Sequence, residues 1–275
     1  MPLGIVVTDL DGTLLDSRHE LSPADRHTLE ELGRRGIPRV IATGRSLYSA
    51  RRVLAPDAPI DFLCHSSGAG ILRWADQEPL RVVNMPQPDA AELAENLAAR
   101  RLDFMLHFAI PDNHHFYVHR VRSDNPDFER RYQRYAGYAR ELRLPLAGDQ
   151  PVAHALVIEP PPEVRLHLEL KAALPGFQVI RATSPLDFVS TWVEIYPRGV
   201  NKASAAEWLW AQAAGRSGRR LAVGNDFNDI DLLDWADLSF VVGNAPGELR
   251  ARYRNVGSND ASGFSAAVEQ ALAAG

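Results

Sequence analysis

The run Asp9-Leu10-Asp11-Gly12-Thr13 carries the strongest chemical signal in the chain. It follows the apolar stretch Leu3-Gly4-Ile5-Val6-Val7, which reads as a buried strand. Side chains alternate faces along a strand, so two carboxylates two residues apart at its C-terminal end can address one site. Gly12 lets the chain turn sharply, and Thr13 offers a hydroxyl. Two acids at the mouth of a parallel sheet suit a divalent cation and a nucleophile, and ligands of open α/β sheets bind at that edge. Three further segments stand at expected strand ends or helix starts: Thr43-Gly44-Arg45, Lys202, and Gly224-Asn225-Asp226-Phe227-Asn228-Asp229.

The elements that must position these residues alternate between strand and helix. Residues 3–9 read as a strand, and Ser22-Pro23 is a cap and first-turn signal for a helix to about Arg35. Pro38–Ala42 is a second strand, Ser46 caps a short helix to about Leu54, and Ile60–Cys64 is a third strand. Repeated units of this length predict an α/β fold with a doubly wound parallel sheet. Between about Asn84 and Asp187 the pattern becomes less regular. Helical spacing is read over Asp89–Arg101, Pro126–Leu142 and Pro162–Leu174. Strands are read at Phe104–His107, Phe116–Arg120, Ala153–Ile158 and Gln178–Arg181. This is the pattern of an inserted α+β domain, which gives a core of residues 1–83 and 187–275 around an insert of 84–186. The alternation then resumes with a strand at Val193–Tyr196, a helix at Lys202–Ala214, a strand at Arg220–Val223 and a helix at Ile230–Trp235. A strand at Leu238–Val242 and helices at Pro246–Tyr253 and Ser262–Ala274 complete it.

Together the four segments resemble the four motifs of the haloacid dehalogenase superfamily. The insert and the ending Asn228-Asp229-Ile230 resemble its Cof-type branch with a type IIB cap. The resemblance spans essentially the whole chain and implies a Rossmann-like core with a cap that contacts the leaving group. It implies a magnesium-dependent phosphatase acting on a small phosphorylated metabolite, such as a sugar phosphate or phosphorylated cofactor. Asp9 would be the nucleophile that becomes an aspartyl-phosphate and also a metal ligand. Asp11 would lend its backbone carbonyl to the metal and its side chain as general acid and then base. Lys202 would set its charge on the phosphoryl group and the nucleophile. Leu10, Thr43, Gly44 and Asn228 would join Lys202 in contacting phosphate. Arg45 is read either as a contact to substrate or cap, or as a solvated charge.

Two departures from the branch stand out. Ala203 follows Lys202 where Gly is usual, and Asn225 stands where an aspartate usually supplies the third protein ligand. An amide oxygen can coordinate magnesium but removes one negative charge, so the third ligand is left open between Asn225 and Asp226. Asp229 would hold the metal's waters or orient Lys202. Two other readings compete: a phosphomutase-like phosphotransferase, and a non-catalytic binding protein on the same fold.

Bulk properties narrow the field further. The 275 residues are 45% hydrophobic and 24% charged, with a net charge of −5, so there is no basic footprint for nucleic acid. The single cysteine, Cys64, excludes an intrachain disulfide and reads as a buried hydrophobe. The N-terminus lacks a basic, then apolar, leader and no run reaches 18 apolar residues, so a cytoplasmic protein away from membranes is expected. His107, His114, His115 and His119 match no zinc spacing and read as loop or half-buried strand histidines. Phe128, Tyr132 and Tyr135 read as a packing stripe, and Trp192 as a core residue. Ser66-Ser67-Gly68-Ala69 stands where the branch often has Asn-Gly-Ala, with Ser67 as the departure.

Overall fold

The computed structural model describes residues 1–122, 124–162, 164–212 and 217–274. The chain divides into two compact units, residues 1–81 with 201–275, and residues 82–200. The first unit begins with β1 (Leu3–Thr8), α1 (Pro23–Arg34), β2 (Arg39–Ala42), α2 (Leu47–Ala50) and β3 (Phe62–His65). A hairpin the sequence pattern did not disclose follows, β4 (Gly70–Arg73) and β5 (Glu78–Val82). Caps set the helix starts as read: the Ser22 side chain accepts from the Asp25 amide, and that of Ser46 from the Ser49 amide.

The second unit holds α3 (Gln87–Ala99), β6 (Phe104–Phe108), β7 (Phe116–His119), α4 (Pro126–Arg134), β8 (Ala139–Glu141), β9 (Val152–Glu159), α5 (Leu166–Ala173), β10 (Phe177–Thr183) and β11 (Thr191–Pro197). Its six strands lie in the order β10-β11-β9-β6-β7-β8. All neighbouring pairs are antiparallel except β7 and β8, which run parallel. The amphipathic run from Pro126 ends as a helix at Arg134, not Leu142; a 3-10 turn at Ala136–Tyr138 and β8 take up the rest. Gly137 and the competition for β7's open edge explain the early stop. The helix read at 162–174 covers only α5, and residue 163 lies outside the described residues.

The strand at Val193–Tyr196 belongs to this second sheet. It pairs antiparallel with β9 and β10, so the chain returns to the first unit at Asn201 rather than at 187. A lone apolar strand has no feature that names its partner, which is why the boundary was misplaced.

The first unit resumes with α6 (Lys202–Gln212), β12 (Arg219–Gly224), α7 (Ile230–Trp235), β13 (Leu238–Val241), α8 (Gly247–Arg252), β14 (Arg254–Asn255) and α9 (Gly263–Ala273). The last two residues of the helix read at Lys202–Ala214 lie outside the described residues. The sheet order is β14-β13-β12-β1-β2-β3-β4-β5, parallel from β14 to β3. Period-two alternation splits its core: Val6, Ile41, Leu63, Val223 and Phe240 face α1 and α9, while Ile5, Val7, Val40, Ala42, Ala222 and Val241 face α6, α7 and α8. Helices therefore cover both faces, the doubly wound arrangement expected. Strand order reverses between β1 and β12, which makes their shared C-terminal edge a topological switch point.

Candidate active site

Asp9 follows β1 directly, and its amide donates to the Val223 carbonyl of β12 at 2.9 Å. That bond extends the ladder and pins the acid to the sheet edge. Lys202, the first residue of α6, reaches the same point with its side chain 1% exposed. Its Nζ donates to Asp9 Oδ1 at 2.6 Å and to Asp229 Oδ1 at 2.6 Å. A buried charge needs such partners, because desolvation without them costs several kcal/mol. Burial works against the ammonium, but Asp229 and Asp9 outweigh it and hold Lys202 protonated well above its ordinary range. Burial pushes the Asp9 carboxyl up to about 7 despite Lys202, and Asp229 and Asp11 add to the rise by repulsion.

Asp229 does a second task. Its Oδ2 accepts from the amides of Asn225 and Asp226 at 2.8 and 3.0 Å. Asp226 answers as the helix cap, its side chain accepting from the Asp229 amide. A Cβ on Gly224 would lie 2.7 Å from the Asp229 carboxyl, so glycine is required where that side chain folds back. Asn225 turns toward the first loop, with its Oδ1 accepting from Thr13 Oγ1 at 3.1 Å. Gly12 has φ +69°, and a Cβ there would lie 2.6 Å from Asn225 Nδ2. The turn and the close approach both exclude a side chain at residue 12. Asn228 is half-buried in the short turn before α7.

Thr43 lies just past β2 and is buried. Its amide donates to the Cys64 carbonyl and its Oγ1 accepts from the Arg45 amide at 3.1 Å. The turn after β3 supports it: the Ser67 amide donates to the Thr43 carbonyl at 2.9 Å. Ser67 adopts φ +53°, a conformation more common for Asn, the residue usual at this place in the branch.

Arg45 is not a freely solvated charge. Its Nε and Nη2 donate to Asp11 Oδ2 and Oδ1 at 2.7 and 2.6 Å, a two-pronged pair. Two further neighbours of this loop were not singled out by spacing. His19 Nδ1 lies 3.6 Å from Asp11 Oδ1, and Asn244 Nδ2 donates to the Gly12 carbonyl at 2.8 Å. Neither belongs to a recognisable motif; only the fold brings them near residue 11.

Cys64 is buried, and burial pushes its thiol up to about 12, which leaves it unreactive. In the second unit His107 Nδ1 is engaged with the Asn113 carbonyl and its ring stacks on His154, with centroids 4.3 Å apart. Trp192 Nε1 donates to Asp127, and its ring carries Arg131 at 4.7 Å. Phe128, Tyr132 and Tyr135 pack in the same cluster.

The chain is similar to known proteins over nearly its whole length. A family model described as haloacid dehalogenase-like hydrolase matches residues 6–268. An HMP-PP phosphatase of Cronobacter sakazakii is 27% identical over 252 residues, covering 88% of this chain and 85% of its own. A haloacid dehalogenase-like hydrolase from Bacteroides thetaiotaomicron has the same fold with a TM-score of 0.68 and 23% identity, covering 98% and 99% of the two chains. The subclass IIB sugar phosphatase BT4131 does so with a TM-score of 0.70 and 16% identity, covering 97% and 98%. With Asp9, Asp229 and Lys202 joined at the switch point and the family model matched nearly end to end, the chain belongs to the haloacid dehalogenase-like hydrolases, as its four segments implied.

Proposed function

We propose that this chain is a magnesium-dependent phosphatase that hydrolyses a small phosphorylated metabolite, a sugar phosphate or phosphorylated cofactor, through an aspartyl-phosphate at Asp9. The observation that carries the reading is the Asp9–Lys202–Asp229 bridge: a buried ammonium fixes one carboxylate oxygen of Asp9 and leaves the other available. In the first step an Asp9 oxygen bonds to phosphorus while the ester P–O bond breaks, and Asp11 gives a proton to the departing oxygen. In the second, a water oxygen bonds to phosphorus, its proton passes to Asp11, and the bond to Asp9 breaks. Inorganic phosphate leaves and Asp9 is restored. Lys202 supplies positive charge throughout, and the Leu10 and Gly44 amides, Thr43 and Asn228 hold the phosphoryl oxygens.

The donor set fits magnesium. Among the described residues no three His, Cys, Asp or Glu gather to form a metal cage. Magnesium needs none: it takes one or two carboxylates, keeps waters and shares the substrate's phosphate oxygens. Asp9, the main-chain carbonyl of Asp11 and the Asn225 side-chain oxygen would hold it. We favour Asn225 over Asp226 because Asn225 lies against the first loop while the Asp226 side chain is spent capping the turn. When bound, magnesium neutralises the phosphoryl charge that an attacking carboxylate would otherwise meet. Residues 82–200 then form the inserted domain that selects the leaving group, and residues 1–81 with 201–275 the catalytic domain. The substrate class rests on the relatives' names, an HMP-PP phosphatase and a sugar phosphatase.

The test is release of phosphate from 4-nitrophenyl phosphate with magnesium. Asp9→Asn is expected to lower it by about a thousandfold or more with the fold intact by circular dichroism. Unchanged turnover would refute Asp9 as nucleophile. Chelation is expected to stop release and added magnesium to restore it.

A further inference from the structure

Asp11 is the group to which the proposed reaction assigns both proton transfers, and it is a third exposed at the loop surface. A carboxylate there has several rotamers, and only some aim at the sheet edge. Arg45, anchored on α2, fixes it. Arg45 closes a two-pronged pair on both Asp11 oxygens, at 2.7 and 2.6 Å. The guanidinium is itself anchored, since its Nη1 donates to Ser49 Oγ at 3.0 Å and α2 holds Ser49 in place. Arg45 is only partly exposed, at 23%, so this is a braced pair rather than a loose surface contact. The brace runs from α2 through Arg45 to the first loop, and the Thr43 hydroxyl ties the Arg45 amide to the end of β2.

From this geometry we infer that Arg45 is the positioning residue for Asp11, and not a contact to substrate. This rests on the phosphatase reading above and adds to it the group that orients the proton carrier. Planarity matters to the role. Guanidinium matches a carboxylate edge with two parallel bonds and so sets its plane; an ammonium supplies equal charge without fixing the plane. The inference therefore separates geometry from charge.

The test compares two esters with the parent chain, Arg45→Ala, Arg45→Lys and Ser49→Ala. A hexose 6-phosphate has an alkoxide leaving group that needs a proton. 4-Nitrophenyl phosphate has one that does not. Loss of Asp11 positioning is expected to cut kcat on the sugar ester by about a hundredfold in Arg45→Ala, with KM within about threefold of the parent. On the aryl ester the first step survives and the second slows, so nitrophenol appears in a burst of about one equivalent per enzyme. Arg45→Lys restores little, and Ser49→Ala shows a smaller loss of the same kind.

A rise in KM on both esters, rescued by lysine, would overturn the inference in favour of a substrate contact. Equal loss of kcat on both esters without a burst would overturn it in favour of a structural role. A parent chain inactive on both esters with magnesium would overturn the phosphatase reading, and the role of Arg45 with it.

Discussion

Lys202 stands between two carboxylates that would repel each other without it, so the site and its stability share one residue. Removing one partner of such a buried group leaves uncompensated charge, at a cost of about 3–5 kcal/mol. Lys202→Ala is therefore expected to lower the denaturation midpoint markedly as well as abolish turnover, and an unchanged urea midpoint would contradict the bridge. Asn225 gives a prediction of opposite sign. Asn225→Asp adds a carboxylate where the branch usually has one, and charge count governs affinity at oxygen-ligand sites. The magnesium concentration for half-maximal activity is expected to fall by roughly tenfold. No change, or a rise, would mean that another residue supplies the third oxygen. Much of this residue-scale picture was legible beforehand. Asp9, Lys202 and Asp229 do converge, because strand-end spacing and a helix start constrain where their side chains go. The partner of Arg45 was not legible, since its choice among substrate, solvent and Asp11 depends on where α2 sets the chain.

The elements that carry these residues were read with uneven success, and the failures have physical causes. Strands and helices with strong alternation or a cap, such as β1 and α1, fell within a residue or two of their expected bounds. The β4–β5 hairpin and the short β8 were missed because three to five residues give too little periodicity. The second sheet also hides a chemical feature. His107 and His154 stack face to face, and His154 stacks in turn on Tyr196 at 4.6 Å. Burial depresses His107 to about 3 and drives His154 well below its ordinary value, and in the first unit burial depresses His65 to about 4. These histidines stay neutral in the fold but take up protons near 6.5 once unfolded. Stability is thus full above pH 6.5 and falls as pH drops toward 4, by about 1.4 kcal/mol per pH unit for each histidine. Asp9 works the other way below pH 7, one group against three. His154→Phe is expected to keep the ring stack and flatten the acid limb of a denaturant midpoint against pH series. An equally steep limb would show that His154 does not carry this dependence.

At the scale of the whole molecule, the sequence divides into two units, one of which interrupts the other. That interruption was visible as a break in strand–helix alternation, although its end was placed 14 residues early because β11 looks like any buried strand. Among the described residues no helix is long and apolar enough to cross a membrane. The function proposed for this molecule comes down to one chemical event: capture of a phosphoryl group by the carboxylate at residue 9. The most direct measurement is to quench the enzyme during turnover of a phosphate ester with magnesium and treat it with borohydride, which reduces an acyl phosphate to an alcohol. Peptide mass analysis is expected to find residue 9 converted to homoserine, with no conversion when substrate is omitted. An unmodified Asp9 during steady turnover, or conversion at a different carboxylate, would contradict the account.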